Sequence, residues 1–267
     1  MHGKVANPPF LKIPDCSYSL PISEFSLELK AVDFGNNNLT KDGVAALADL
    51  VKNSPSLQEV NIYMNDIGDD GAFMLASAIK DTTSLVSLDI GGNNIGPDGG
   101  KALAAALRDH QSLKSLELGY NPIGPEGARA FSDVLKHGMG VETLRLGWCK
   151  VGGGEGAKAI ADLIMFDESL RILDLRGNNF GNDGAIYVSR ALKEHQNVKL
   201  MELDLGYNEI KDEGACAIAQ ALKANPEGAP KELKVNSNYV TRFGQVALTE
   251  ALDMVYDMGG REMVITF

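Results

Sequence analysis

Tyr120, Trp148 and Tyr207, with Arg145 and Arg176 between and beside them, are the residues whose types most suggest recognition chemistry. Aromatics make up only 6% of the chain and Trp148 is its one tryptophan, so these rings are not a generic feature of the composition. Exposed Trp, Tyr and Arg combine broad apolar contact with hydrogen-bonding heads, which makes them the usual anchors of protein–protein contacts. A second set is rich in carboxylates: Asp33, Asn61, Asp89, Glu117, Arg145, Asp174, Asp204 and Lys234 recur at a near-constant interval. Like charges on neighbouring strands repel, so such a column suits a basic partner or a cation. The other reading is an acidic face left to solvent and screened by salt.

Neither set supplies an enzyme. There is no nucleophile with a base at working spacing, no zinc-ligand spacing and no tight D-x-D-x-D loop, so neither a catalytic site, a metal nor a cofactor is expected. Gly152-Gly153-Gly154 precedes a helix but lacks the Lys-Ser/Thr of a phosphate loop, and reads as an inserted loop residue. His110, His137 and His195 fall near helix ends, where a hydrogen-bonding or cationic side chain suits the last carbonyls.

The interval points to the elements that must position these residues. The stretch from Leu113 to Ala128 reads L-x-x-L-x-L-x-x-N-x-I-G-x-x-G-A. Copies start at Leu29, Leu57, Leu85, Leu113, Val141, Leu170 and Leu200, with a degenerate eighth at Pro230. The successive spacings are 28, 28, 28, 28, 29, 30 and 30 residues, and a fixed period of this size marks a solenoid. Inside each unit, period-two alternation turns pairs such as Leu88 and Ile90, or Leu173 and Leu175, inward from a short strand. The ninth position holds Asn37, Asn65, Asn93, Asn121, Cys149, Asn178, Asn208 and Asn238. An amide there can satisfy backbone groups where each strand turns away, and Cys149 is the exception.

An alanine-rich helix follows, opened by a glycine that recurs as Gly43, Gly71, Gly99, Gly127, Gly156, Gly184, Gly214 and Gly244. Close helix–strand approach would explain that glycine. The acid before it (Asp42, Asp70, Asp98, Glu126, Glu155, Asp183 or Glu213) complements the helix dipole. The register then predicts which side chains face solvent from the sheet. They include Glu59 at the third position, the carboxylate column at the fifth, Tyr63 and Arg176 at the seventh, and Met64, Tyr120, Trp148 and Tyr207 at the eighth. The candidate partner-binding residues are therefore Glu59, Asn61, Tyr63, Asp89, Glu117, Tyr120, Arg145, Trp148, Asp174, Arg176, Asp204 and Tyr207.

The 267 residues divide into an irregular N-terminal cap over 1–28, repeats over 29–257, and a capping strand over 258–267 with Met263 and Ile265 inward. Pro8, Pro9, Pro14 and Pro21 disfavour a helix or inner strand in the first segment. With 44% hydrophobic residues the chain can fill a continuous core. Its net charge of −11 argues against nucleic acid or an anionic membrane as partner. An odd count of three cysteines (Cys16, Cys149, Cys216) without C-x-x-C spacing, no membrane-length apolar run and no signal pattern all point to an intracellular, cytoplasmic setting.

The 28–30-residue unit with N-x-I-G-x-x-G-A and an alanine-rich helix resembles the ribonuclease-inhibitor-like class of leucine-rich repeats. That resemblance implies a right-handed α/β horseshoe of about eight repeats, with a parallel sheet on the concave face and helices on the convex face. The class also includes NOD-like receptor arrays and the Ran GTPase-activating protein, so it does not select one function. The leading expectation is a non-enzymatic scaffold that binds a protein, one with a basic patch, through its concave face and strand-end rim. One alternative is a GTPase-activating protein using Arg145 or Arg176. Another is the sensing segment of a larger receptor.

Overall fold

The computed structural model describes residues 10–12, 28–108, 110–136, 140–195, 199–259 and 262–267. Among them, ten three-residue strands alternate with eight helices. The chain runs β1 (Phe10–Lys12), β2 (Ala31–Asp33), α1 (Lys41–Asn53), β3 (Glu59–Asn61), α2 (Gly68–Ile79), β4 (Ser87–Asp89) and α3 (Pro97–Leu107). It continues through β5 (Ser115–Glu117), α4 (Gly124–Leu135), β6 (Thr143–Arg145), α5 (Glu155–Phe166), β7 (Ile172–Asp174) and α6 (Gly181–Glu194). Last come β8 (Glu202–Asp204), α7 (Asp212–Ala224), β9 (Glu232–Lys234), α8 (Arg242–Gly259) and β10 (Val264–Thr266).

Every strand pairs in parallel with the next in sequence, giving one ten-stranded sheet in the order β1 to β10. Packed helices stand about 8–10 Å apart and paired strands about 4.8 Å, so a stack of such units bends with the sheet inside. This is the expected α/β solenoid. In the first segment, Phe10–Lys12, between Pro9 and Pro14, pairs in parallel with Ala31–Asp33 as an edge strand, a position that tolerates nearby proline where an inner strand would not. The other residues of 1–27 lie outside the described set, as does His137. At the far end Ile265 pairs with Leu233 and packs on the core, and Met263 is buried.

The core is one continuous cluster filled by the same positions in every layer, such as Leu113, Leu116, Leu118, Ile123, Phe131 and Leu135 in the fourth repeat. Each fully buried Leu or Ile contributes about 1.5–3 kcal/mol. The ninth-position amides form the expected ladder. Asn93 donates through Nδ2 to the carbonyls of Ile62 in the preceding repeat (2.8 Å) and Ile90 in its own (3.0 Å). Its Oδ1 accepts the Asn65 N–H at 3.2 Å. Cys149 bridges with its thiol to Leu118 O at 3.3 Å, but it has no side-chain amide oxygen for the loop before it, which meets only its backbone carbonyl through Gly124 N–H at 3.1 Å. Ile123 N–H turns instead to Asn121 O in its own repeat, where Ile95 N–H reaches Asn121 Oδ1 across the repeat boundary.

The recurring helix glycine has a different cause from the one expected. A Cβ at Gly127 would lie 2.7 Å from Ile123 Cβ, and one at Gly99 would lie 2.9 Å from Ala72 Cβ of the preceding helix. The crowding comes from the loop residue four positions earlier and from the neighbouring helix, not from the strand. Helix N-termini are also completed across repeats. Asp69 Oδ1 accepts Gly96 N–H (2.7 Å) and Gly99 N–H (3.0 Å) at the start of α3. Asn182 Oδ1 does the same for Lys211 and Gly214 at α7, and Asp212 for Thr241 and Gly244 at α8. The histidine expectation holds in a modified form. His110 is buried between Thr82 Oγ1 (3.1 Å) and Ser112 Oγ (3.4 Å), and burial lowers its pKa, so it acts as a hydrogen-bonding ring.

Candidate functional site

The strand register brings the fifth-position residues into one row: Asp33, Asn61, Asp89, Glu117, Arg145, Asp174, Asp204 and Lys234 are direct partners on successive strands. They were expected to face solvent. Asp174 is only 5% exposed and Asp204 7%, and the reason is local. Each acid or amide folds back to accept the N–H two residues on: Asp33 from Gly35 at 3.0 Å, Asn61 from Tyr63 at 2.9 Å, Asp89 from Gly91 at 3.0 Å and Glu117 from Gly119 at 2.7 Å. Asp174 accepts from Arg176 at 3.1 Å and Asp204 from Gly206 at 2.8 Å. Most of this column therefore first holds the strand-to-loop turn.

Its electrostatics divide along the array. Arg176 Nε lies 3.1 Å from Asp174 Oδ2, and Lys234 pairs with Glu202 and, at 3.6 Å, with Glu232. Arg145 Nε stands 4.0 Å from Glu117 Oε2. Asp33, Glu59 and Asp89 have no ion pair within 4 Å among the described residues. Burial pushes the Glu117 carboxyl up to about 7, with the charges of Asp89 and Asp174 adding to the rise while Gly119 N–H and Arg145 oppose it. Burial also raises Asp89 and Asp174. Among the described residues no group of three or more His, Cys, Asp and Glu side chains is placed to hold a metal ion.

The seventh-position side chains wall off a depression of about 370 Å³ lined by Tyr63, Asp89, Glu117, Gly119, Tyr120, Gly147, Asp174 and Arg176. Tyr63 leans over Gly91, where an added Cβ would sit 3.0 Å from its Cδ2. Arg176 leans the opposite way over Gly147, at 3.2 Å from its Cγ. The two arms thus close in from either side, and Gly119 leaves the floor open between them.

The eighth-position rings form the rim. Tyr120 and Trp148 stack with centroids 6.3 Å apart and planes 13° apart, and Trp148 meets Tyr207 at 5.5 Å and 47°. Trp148 and Tyr207 belong to repeats two apart. They touch because Gly177 stands between them and Trp148 lies where its side chain would be. Met64 covers Gly92 in the same manner. Every residue of this column has left-handed backbone, including Met64 (φ 57°), Tyr120 (60°), Trp148 (60°) and Tyr207 (56°). Glycine or asparagine adopts that conformation cheaply, whereas bulky side chains there cost about 1–2 kcal/mol each. The rings remain 53%, 40% and 48% exposed for Tyr120, Trp148 and Tyr207, so about half of this aromatic surface stays open to solvent.

Of the candidate residues, Tyr63, Asp89, Glu117, Tyr120, Asp174 and Arg176 come together in the depression, and Trp148 and Tyr207 extend its rim. Arg145 lies between Glu117 and Asp174 in the row. Glu59 and Asn61 sit on β3 outside the depression, and Asp204 is buried under its own turn. Gly177 and Gly92 were missed. The usable signal was a glycine following a bulky residue one period earlier.

A sequence profile described as Leucine Rich repeat matches residues 28–48, 53–76, 82–104, 109–132, 167–189 and 196–219. No curated protein sequence matches the chain. Solved structures share the fold at low identity. A chain of the Rad7 and Elc1 complex in yeast superposes with TM-score 0.61 and 16% identity over 90% of this chain and 63% of that one. The leucine-rich repeat-containing protein LegL7 from Legionella pneumophila gives 0.57 and 17% over 91% and 87%. An internalin (inlF) from Listeria monocytogenes gives 0.52 and 16% over 92% and 62%. Among the described residues no helix is long and apolar enough to cross a membrane.

Proposed function

The chain belongs to the leucine-rich repeat family, and from that premise we propose that it is a non-enzymatic scaffold holding a protein partner with a basic patch on its concave face and strand-end rim. The observation that carries this reading is the rim. Tyr120, Trp148 and Tyr207 are large, exposed rings in left-handed backbone, at a position where glycine or asparagine would be cheaper. Strain kept at an exposed, stacked aromatic cluster is what a recognition surface would require. The yeast relative was solved in complex with another protein, in keeping with a binding role.

The repeat length of 28–30 residues, with a full helix in each unit from α1 to α7, supports reading these repeats as ribonuclease-inhibitor-like. A preformed curved wall presents wide area at little ordering cost. The free, buried Cys149 suits a reducing, intracellular compartment.

The test is a pull-down from source lysate with the wild type and with a Trp148→Ala, Arg145→Ala double variant, read by mass spectrometry. A partner lost only with the variant supports the central rim as the site. Equal capture by both overturns the residue assignment.

A further inference from the structure

We propose that the depression between Tyr63 and Arg176 receives the guanidinium of an arginine on an extended segment of the partner, bound by Asp89 and Glu117 with Tyr63 and Tyr120 as its apolar walls. This rests on the protein-binding reading above and names the chemistry of that same site.

Four observations support it. First, Asp89 and Glu117 are direct partners on adjacent strands, about 4.8 Å apart, a separation that the forked donors of one guanidinium can span. Second, each carboxylate uses one oxygen on the N–H two residues ahead, at 3.0 Å for Asp89 and 2.7 Å for Glu117; the other oxygen of Asp89 has no ion pair within 4 Å among the described residues, and that of Glu117 has Arg145 at 4.0 Å. That single oxygen per strand, with no third ligand converging among the described residues, disfavours a divalent cation. Third, the arms of Tyr63 and Arg176 lie over Gly91 and Gly147, two strand spacings or about 10 Å apart, which leaves room for a planar head group but not for a folded element. Fourth, aromatic faces border the site, and a guanidinium sheds water and stacks on such faces more readily than an ammonium does.

The charges facing Glu117 are Asp89 on β4, Arg145 on β6, and Asp174 and Arg176 at β7. Arg145 approaches Glu117 from the far side at 4.0 Å, and Arg176 is engaged by Asp174, so the side toward Asp89 is the one left short of positive charge. Burial holds the Glu117 carboxyl near 7 in the free protein, and an incoming cation would favour its ionised form. Docking is therefore coupled to loss of a proton, and affinity falls as pH drops through about 7.

The experiment selects short random peptides displayed on phage against the wild-type chain, with counter-selection on Trp148→Ala. Enriched sequences are remade with the shared arginine replaced by citrulline, its neutral isostere, and titrated against the fluorescence of the only tryptophan. The expected result is a shared arginine, a loss of at least about tenfold with citrulline, and the same loss with an Asp89→Asn, Glu117→Gln variant whose fold is checked by circular dichroism. Trp148-dependent peptides that tolerate citrulline would overturn this inference and leave the scaffold reading standing. An absence of Trp148-dependent peptides would count against both.

Discussion

Positions eight and nine of each repeat are chain neighbours, and they do opposite things. Asn121 is fully buried, and its side chain accepts or donates hydrogen bonds across two repeats. Tyr120, beside it, is half exposed and has left-handed backbone, and its ring stacks on that of Trp148. The ninth column binds the stack together and the eighth is carried at a cost. The contrast teaches that regularity in a repeat protein marks what the fold needs, while costly variety at a regular position marks what the fold was recruited to do.

The contrast can be tested by substitution. Asn121→Ala should cost the most, about 3 kcal/mol or more, because it strands buried groups on Asn93, Ile95, Ile90 and Leu118; urea denaturation would measure it. Glu117→Gln, next to the rim, should act in the other direction and only at high pH. The folded protein raises the Glu117 pKa from 4.5 to about 7, so the protonated form folds better. That contribution is fully present below 4.5 and is lost as pH rises through about 7. Well above 7 the variant should therefore be more stable by about 1–2 kcal/mol, and below 4.5 the two should melt together. Equal stability at every pH would show that Glu117 is better solvated than its burial implies.

Completing the ladder with Cys149→Asn should add about 1 kcal/mol, since an amide oxygen would then meet the loop N–H of Ile123. The smallest effect should come from the largest ring. Trp148→Gly relieves left-handed strain while losing the stacks on Tyr120 and Tyr207, so stability should move by less than about 1 kcal/mol. A loss of several kcal/mol would break the comparison and make the rim structural.

The solenoid was legible because one layer's constraints repeat in every layer: Leu116 and Leu118 inward, Asn121 at the turn and Gly127 against the loop. The candidate side chains were legible as columns for the same reason. What stayed hidden depends on contacts between repeats or on backbone angles. The burial of Asp174 and Asp204 follows from hydrogen bonds to their own turns, which residue type does not reveal. The capping of α3, α7 and α8 by Asp69, Asn182 and Asp212 comes from side chains about 30 residues away from the helices they complete. Met64 and Trp148 look like isolated large residues until Gly92 and Gly177 are seen beneath them.

The thiol at Cys149 has a mechanical consequence. At the junction between the fourth and fifth repeats the amide rung is missing, and Pro125 stands where Asp69, Asn182 or Asp212 would reach across to cap the next helix. Neighbouring layers are held there by packing, backbone bonds, the Cys149 thiol and the surface pairs Lys114–Glu142 and Arg145–Glu117, with no buried amide between them. A curved spring with one softer joint bends at that joint, and this one lies at mid-length, directly under the Tyr120–Trp148 stack. A load placed on the exposed rings of Tyr120 and Trp148 would therefore act across the junction that has no buried amide to resist it.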